Sequence, residues 1–138
     1  MDRLDEVREW LKFSDNDMAA VLQLSSFHPP QIEIICYLCQ QSAEKALKAF
    51  WVYSGMKPQR THDMELLRAE CEQHEIRFSQ IAEECFRLND YSSQPRYPSG
   101  IELLEPDMEL AKKDSAKISE LVKSVMVLNE LHDDSEAE

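Results

Sequence analysis

The chain has 138 residues, 43% of them apolar, and a net charge of −12. That length is about one domain with enough apolar content to fill one core. The acidic balance argues against broad, non-specific grip on nucleic acid, which needs clustered Lys and Arg.

The predicted elements are helical throughout. The chain holds 2 glycines, so β-turn chemistry is nearly absent, and its 6 prolines fall between the periodic segments rather than inside them. A first helix is expected over residues 4–24, with Leu4, Val7, Leu11, Met18, Val21 and Leu22 on one face. Asp2, Asp5 and Glu6 suit its N-terminus. His28-Pro29-Pro30 ends the segment, since a residue before proline avoids the helical region. A second helix is expected over 31–54, with Gly55 as its C-terminal cap and Pro58 beyond. Its apolar arc is wide, including Ile34, Ile35, Leu38, Leu47, Phe50 and Trp51. That width fits either the central helix of a bundle or a helix that also makes a dimer contact.

A short third helix is expected after Thr61, read as its N-cap, with Asp63 and Glu65 in the first turn. A fourth segment over 79–91 carries Ile81, Cys85 and Leu88 on one stripe. An irregular linker over 92–100 holds Pro95, Arg96, Tyr97 and Pro98. The last helix starts near Glu105-Pro106, and Leu104, Met108, Ala111, Ser115, Ile118, Val122 and Val125 form a seam for antiparallel packing. The expected fold is all-α: an up-and-down bundle of four to five antiparallel helices over residues 1–128. Residues 129–138 are expected to form an acidic, disordered tail.

Charge is uneven along this order. Residues 31–62 carry +2 and 92–101 carry +1, while 1–30, 63–91 and 102–138 carry −3, −5 and −7. Lys45, Lys48, Lys57, Arg60 and Arg96 are therefore the locally basic positions. No apolar run approaches the roughly 20 residues that span a bilayer. The N-terminus, charged from Asp2 onward, does not read as a secretory signal. The four cysteines are then read as reduced thiols in a cytoplasm.

Several residues invite a chemical reading. Cys36-Tyr37-Leu38-Cys39 is a C-x-x-C, but it lies inside an apolar helix with no adjacent cation to stabilise a thiolate, so buried small hydrophobes are the favoured reading. Of the four histidines, His62 opens a helix, and its expected role is local capping. No Gly-rich phosphate loop, metal-ligand set or activated nucleophile stands out. Arg96-Tyr97 pairs a cation with an aromatic, a combination that binds a phosphate and stacks a base, or else packs Tyr97 on the bundle end.

Read together, three stretches resemble one family. Gln41-Ser42-Ala43-Glu44-Lys45-Ala46-Leu47-Lys48-Ala49 is similar to the Q-x-A-E-K-A-L-K-A stretch of HEPN domains (higher eukaryotes and prokaryotes nucleotide-binding). Thr61-His62-Asp63 with Leu66-Leu67 resembles their T-H-D/N-L turn, and Arg96-Tyr97-Pro98 their R-Y-P element. The resemblance covers roughly residues 3–128. It implies a helical bundle that commonly forms a homodimer, prokaryotic, and paired with a small nucleotidyltransferase in toxin–antitoxin systems. From the residues themselves, no cofactor and no metal are expected.

Some members of that family are metal-independent endoribonucleases carrying Arg, four to six residues, then His, near the end of the helix before the last. Arg87 occupies about that place, but Leu-Asn-Asp-Tyr-Ser-Ser-Gln follows it, with no His. Arg68 and His74 have the spacing at the wrong position. The expectation is therefore a non-catalytic protein that binds a partner and a nucleotide or RNA, with Lys45, Lys48, Arg87, Arg96 and Tyr97 facing the ligand. The alternatives are a ribonuclease with a degenerate site and a purely structural dimerisation module.

Overall fold

The computed structural model describes residues 2–91 and 102–137, with side chains through residue 126. Arg96 and Tyr97 lie outside the described residues, whereas the backbone of the tail expected to be disordered is helical through Ala137. Five α-helices follow one another: α1 over Arg3–Leu24, α2 over Ile32–Tyr53, α3 over Met64–His74, α4 over Ala82–Asn89 and α5 over Glu105–Ala137. Among the described residues there is no strand, and the bundle is all-α.

Local chemistry sets the helix ends. The Asp2 carboxylate accepts from the Asp5 amide at 2.8 Å and caps α1. At the end of α2, Gly55 adopts φ +85°, the left-handed conformation that glycine enters without Cβ cost. Gly55 N–H donates to the Val52 carbonyl at 3.0 Å and Met56 N–H to that of Trp51 at 2.8 Å, which closes the helix with a Schellman motif.

Two boundaries differ from the sequence expectation. Asp63, not Thr61, caps α3: its carboxylate accepts from the amides of Glu65 and Leu66, while Thr61 Oγ1 accepts from the Asp63 amide. Thr61 thus positions the cap rather than being it. The segment expected from residue 79 begins earlier, as a 3₁₀ turn over Ile76–Ile81 that precedes α4. Residues three apart eclipse in a 3₁₀ turn, which sends both Phe78 and Ile81 into the core.

α2 is the central helix. Its most extensive seams are with α1 and α5, and α3 packs along a further side. Buried positions run all along it, from Ile35 and Cys36 to Trp51 and Val52. Most of the wide apolar arc is thus covered within one chain, as expected of a central helix, while Ile34 and Leu38 stay partly exposed. On the α1 side, Ser14 and Ser42 exchange hydrogen bonds with each other's carbonyls at 2.7 and 2.9 Å, satisfying both buried hydroxyls. On the α5 side, Ser115 Oγ donates to the Cys39 carbonyl at 2.7 Å. Asn89 at the end of α4 accepts from the Met64 amide at 2.9 Å, so α4 closes the start of α3. Among the described residues, no helix is long and apolar enough to cross a membrane.

Candidate functional site

The residues of two family-like stretches meet on α2. Glu44 is nearly buried, with its side chain 5% exposed, and three donors converge on its carboxylate. Gln40 Nε2 donates to Oε1 at 3.0 Å and Lys48 Nζ to Oε2 at 3.1 Å. His62, from the connection to α3, brings Nδ1 within 2.9 Å of Oε1. A carboxylate only accepts, so the proton of that contact sits on His62 Nδ1. Gln41 extends the chain by donating to Gln40 Oε1 at 2.7 Å. Lys48 also lies 5.8 Å from the centroid of the Trp10 ring on α1, a cation–π placement. His62 is therefore a side-chain pin of the α2–α3 connection, reaching 18 residues back along the chain rather than serving as the local cap expected of it.

The candidate cations do not converge. Lys45 turns to α1, where Asp17 accepts from Nζ at 2.6 Å. Lys48 is held by Glu44. Arg87 on α4 turns to α5 and makes a two-pronged contact with Asp114, Nε to Oδ2 at 2.9 Å and Nη2 to Oδ1 at 2.8 Å. Asp114 is nearly buried, and Glu84 and Glu83 stand 3.9 Å from the same guanidinium. The Asp114 hydrogen bonds raise the Arg87 pKa still further, fixing its charge. Lys117 joins this cluster by donating to Glu84 at 2.7 Å. Burial alone would raise the Glu84 carboxyl, but the hydrogen bond from Lys117 and the nearby cations bring it below the ordinary value.

The Arg68–His74 pair does not assemble either. Six residues advance a helix by about 9 Å and turn it by about 240°. Arg68 is mostly buried and donates to Glu72 at 2.7 Å, whereas His74 is exposed in the last turn of α3. Arg68 Nε is buried without a hydrogen-bond partner among the described residues.

The C-x-x-C carries no metal or redox geometry. Cys36 and Cys39 are fully buried and unbonded to each other. Burial, with smaller contributions from Asp107 and Glu33, pushes the Cys36 thiol up to about 12, and burial does the same to Cys39. Among the described residues, no group of three or more His, Cys, Asp or Glu side chains could hold a metal ion.

Sequence reasoning missed the acidic partners. Glu44 and Lys48 are four apart on a helix, a spacing that announces a pair. Asp114 lies 27 positions from Arg87, and nothing local in the sequence joins them.

The arrangement can be set beside known proteins. Among curated proteins, none matches this sequence. The crystal structure of an archaeal HEPN homologue superimposes with a TM-score of 0.66, covering 86% of this chain and 95% of that one. At 21% identity, that likeness speaks for the fold alone. The profile of the HEPN domain matches residues 7–125, nearly the whole bundle, and the chain belongs to the HEPN domain family.

Proposed function

We propose that this HEPN-domain chain is a non-catalytic binding component, paired with a small nucleotidyltransferase in a toxin–antitoxin-like system. It works as a homodimer and binds a nucleotide or RNA. The observation that carries the reading is the state of Arg87. A ribonuclease Arg must offer its guanidinium to the scissile phosphate, with a His beside it to activate the ribose hydroxyl. Here the Nε–Nη2 edge of Arg87 is held by nearly buried Asp114, with Glu83 3.9 Å from the remaining Nη1. The next histidine after Arg87 in the sequence is His132.

The test is RNA cleavage by purified protein in EDTA, beside Arg87→Ala. Neither protein should cut. Cleavage by the native chain that disappears in Arg87→Ala would establish a ribonuclease working with its Arg alone. Co-expression with a neighbouring nucleotidyltransferase should give a stable complex, and its absence would remove the partner. Sedimentation at micromolar concentration should report a dimer.

A further inference from the structure

The seam between α4 and α5 sorts its charges by depth. Each helix gives it one acid and one cation, three residues apart: Glu84 and Arg87 from α4, Asp114 and Lys117 from α5. Both acids are buried. Both cations reach water, with the Arg87 and Lys117 side chains 37% and 54% exposed. The cations are also neighbours. Arg87 Nη2 lies 3.9 Å and Lys117 Nζ 2.7 Å from the same atom, Glu84 Oε2. Other ion pairs of the bundle lack this layering. Lys48 is buried together with its acid, and Lys123 meets Asp15 where both are exposed.

Asp114 treats Arg87 as a phosphate would. A guanidinium offers a planar fork, which a carboxylate or a phosphate fills with two parallel N–H···O bonds. Asp114 fills the Nε–Nη2 edge at 2.9 and 2.8 Å. It is anchored in place, one residue before Ser115, whose hydroxyl is tied to the Cys39 carbonyl of α2. The carboxylate is therefore always at hand, and an outside anion has to displace it. Access from water is open, because the guanidinium is only partly covered. Glu83, 3.9 Å from Nη1, is 87% exposed and yields readily.

We propose that Asp114 is an internal competitor for phosphate. By occupying Arg87 it keeps a phosphodiester site, made by Arg87 and Lys117 on the α4–α5 seam, mostly closed. The inference rests on the binding reading above and says what limits that binding. The affinity of a site falls by the fraction of molecules in which it is open. One charge-assisted contact of this kind is worth about tenfold, so the competitor should weaken phosphate binding by about that factor. The net charge of −12 places the further phosphates of a long strand over acidic surface, so a short RNA is the fitting probe.

Fluorescence anisotropy of a short labelled oligouridine, titrated with the full chain in EDTA at low salt, tests it. Asp114→Ala should bind about tenfold more tightly than the native chain. Asp114→Asn should gain less, because its amide oxygen still accepts one N–H from Arg87. Thermal unfolding checks that each variant is folded, and if Asp114→Ala is not, Asp114→Asn carries the test. Adding Arg87→Ala to either variant should abolish the gain, and adding Lys117→Ser should reduce it. Glu120→Gln removes one negative charge from the side of α5 that faces α1, and it should bind as the native chain does. Folded Asp114 variants that bind no better than the native chain would overturn the inference. So would an equal gain in Glu120→Gln, which would make the effect one of net charge, or a gain that survives Arg87→Ala. Any of these leaves the partner reading standing, since the nucleotidyltransferase complex tests that separately. Cleavage of RNA by the native chain would sink the non-catalytic reading, whatever the Asp114 variants bind.

Discussion

Two charged clusters sit on the helix seams of this bundle, and they are built in opposite senses. At Glu44 one carboxylate collects donors, from Gln40, Lys48 and His62. At Arg87 one guanidinium collects carboxylates, with Asp114 in direct contact and Glu84 and Glu83 farther off. The ion pair of the first is nearly dry, with Glu44 and Lys48 side chains 5% and 7% exposed, and His62 on its rim is 63% exposed. The second keeps water on one side, since the Arg87 side chain is 37% exposed. The difference teaches what each does. A desolvated pair survives only when its lone pairs and protons are satisfied, and the Glu44 cluster spends that satisfaction on fixing the α2–α3 connection. The Arg87 cluster straps α4 to α5 and neutralises a cation that would otherwise face solvent.

The comparison breaks most visibly at Lys48. Lys48→Ala should destabilise the fold by about 3 kcal/mol, because it leaves Glu44 charged and nearly buried. Urea unfolding measures it. The double variant Lys48→Met/Glu44→Gln should recover most of the loss, since both charges leave together. A single variant within about 0.5 kcal/mol of the native chain would mean that Gln40 and His62 already satisfy Glu44, and that the cluster is not desolvated in effect.

Arg87 should matter less. Arg87→Ala strands Asp114 but opens it to water, so a loss of about 1–2 kcal/mol is expected. Arg87→Lys should restore less than half, because an ammonium cannot reproduce the two-pronged geometry. Full restoration by Lys, again in urea unfolding, would make the contact a matter of charge alone.

How these clusters relate to the sequence follows from distance along the chain. The Gly55 cap was legible because helix geometry makes it local; the Glu44–Lys48 pair has the same locality, but Lys48 was read as facing a ligand. The five helices were legible from periodicity and from proline placement. The identity of the α3 cap was not, since Thr61 and Asp63 are both capping types and only backbone geometry decides between them. The 3₁₀ turn hid because Phe78 and Ile81 satisfy a period of three that a helical reading overlooks. The apolar arc of α2 left its use open, and packing by α1, α3 and α5 covers most of it. Of the proposed ligand-facing residues, the sequence showed that Lys45, Lys48 and Arg87 were cations. It had no means of showing that Asp17 and Asp114, far away in the chain, would occupy two of them.

The smallest effect sharpens the comparison at its edge, where Glu84 links Arg87 to Lys117. In the folded chain Glu84 releases its proton more readily than the ordinary carboxyl value of 4.5. The unfolded chain then binds the proton more tightly, so stability from this group is present above that ordinary value. It is lost as pH falls through the lower folded value. Lys117 is 54% exposed, and a pair of that kind contributes less than about 1 kcal/mol. Glu84→Gln should therefore lower stability by about 0.5–1 kcal/mol at pH 7. The gap to the native chain should narrow steadily as urea unfolding is repeated at lower pH, because the native carboxyl then becomes as neutral as the amide. A gap that stays constant with pH would assign the role of Glu84 to packing. Arg87 would then answer to Asp114 alone, and the two clusters would differ not in the number of opposing charges but only in how much water reaches them.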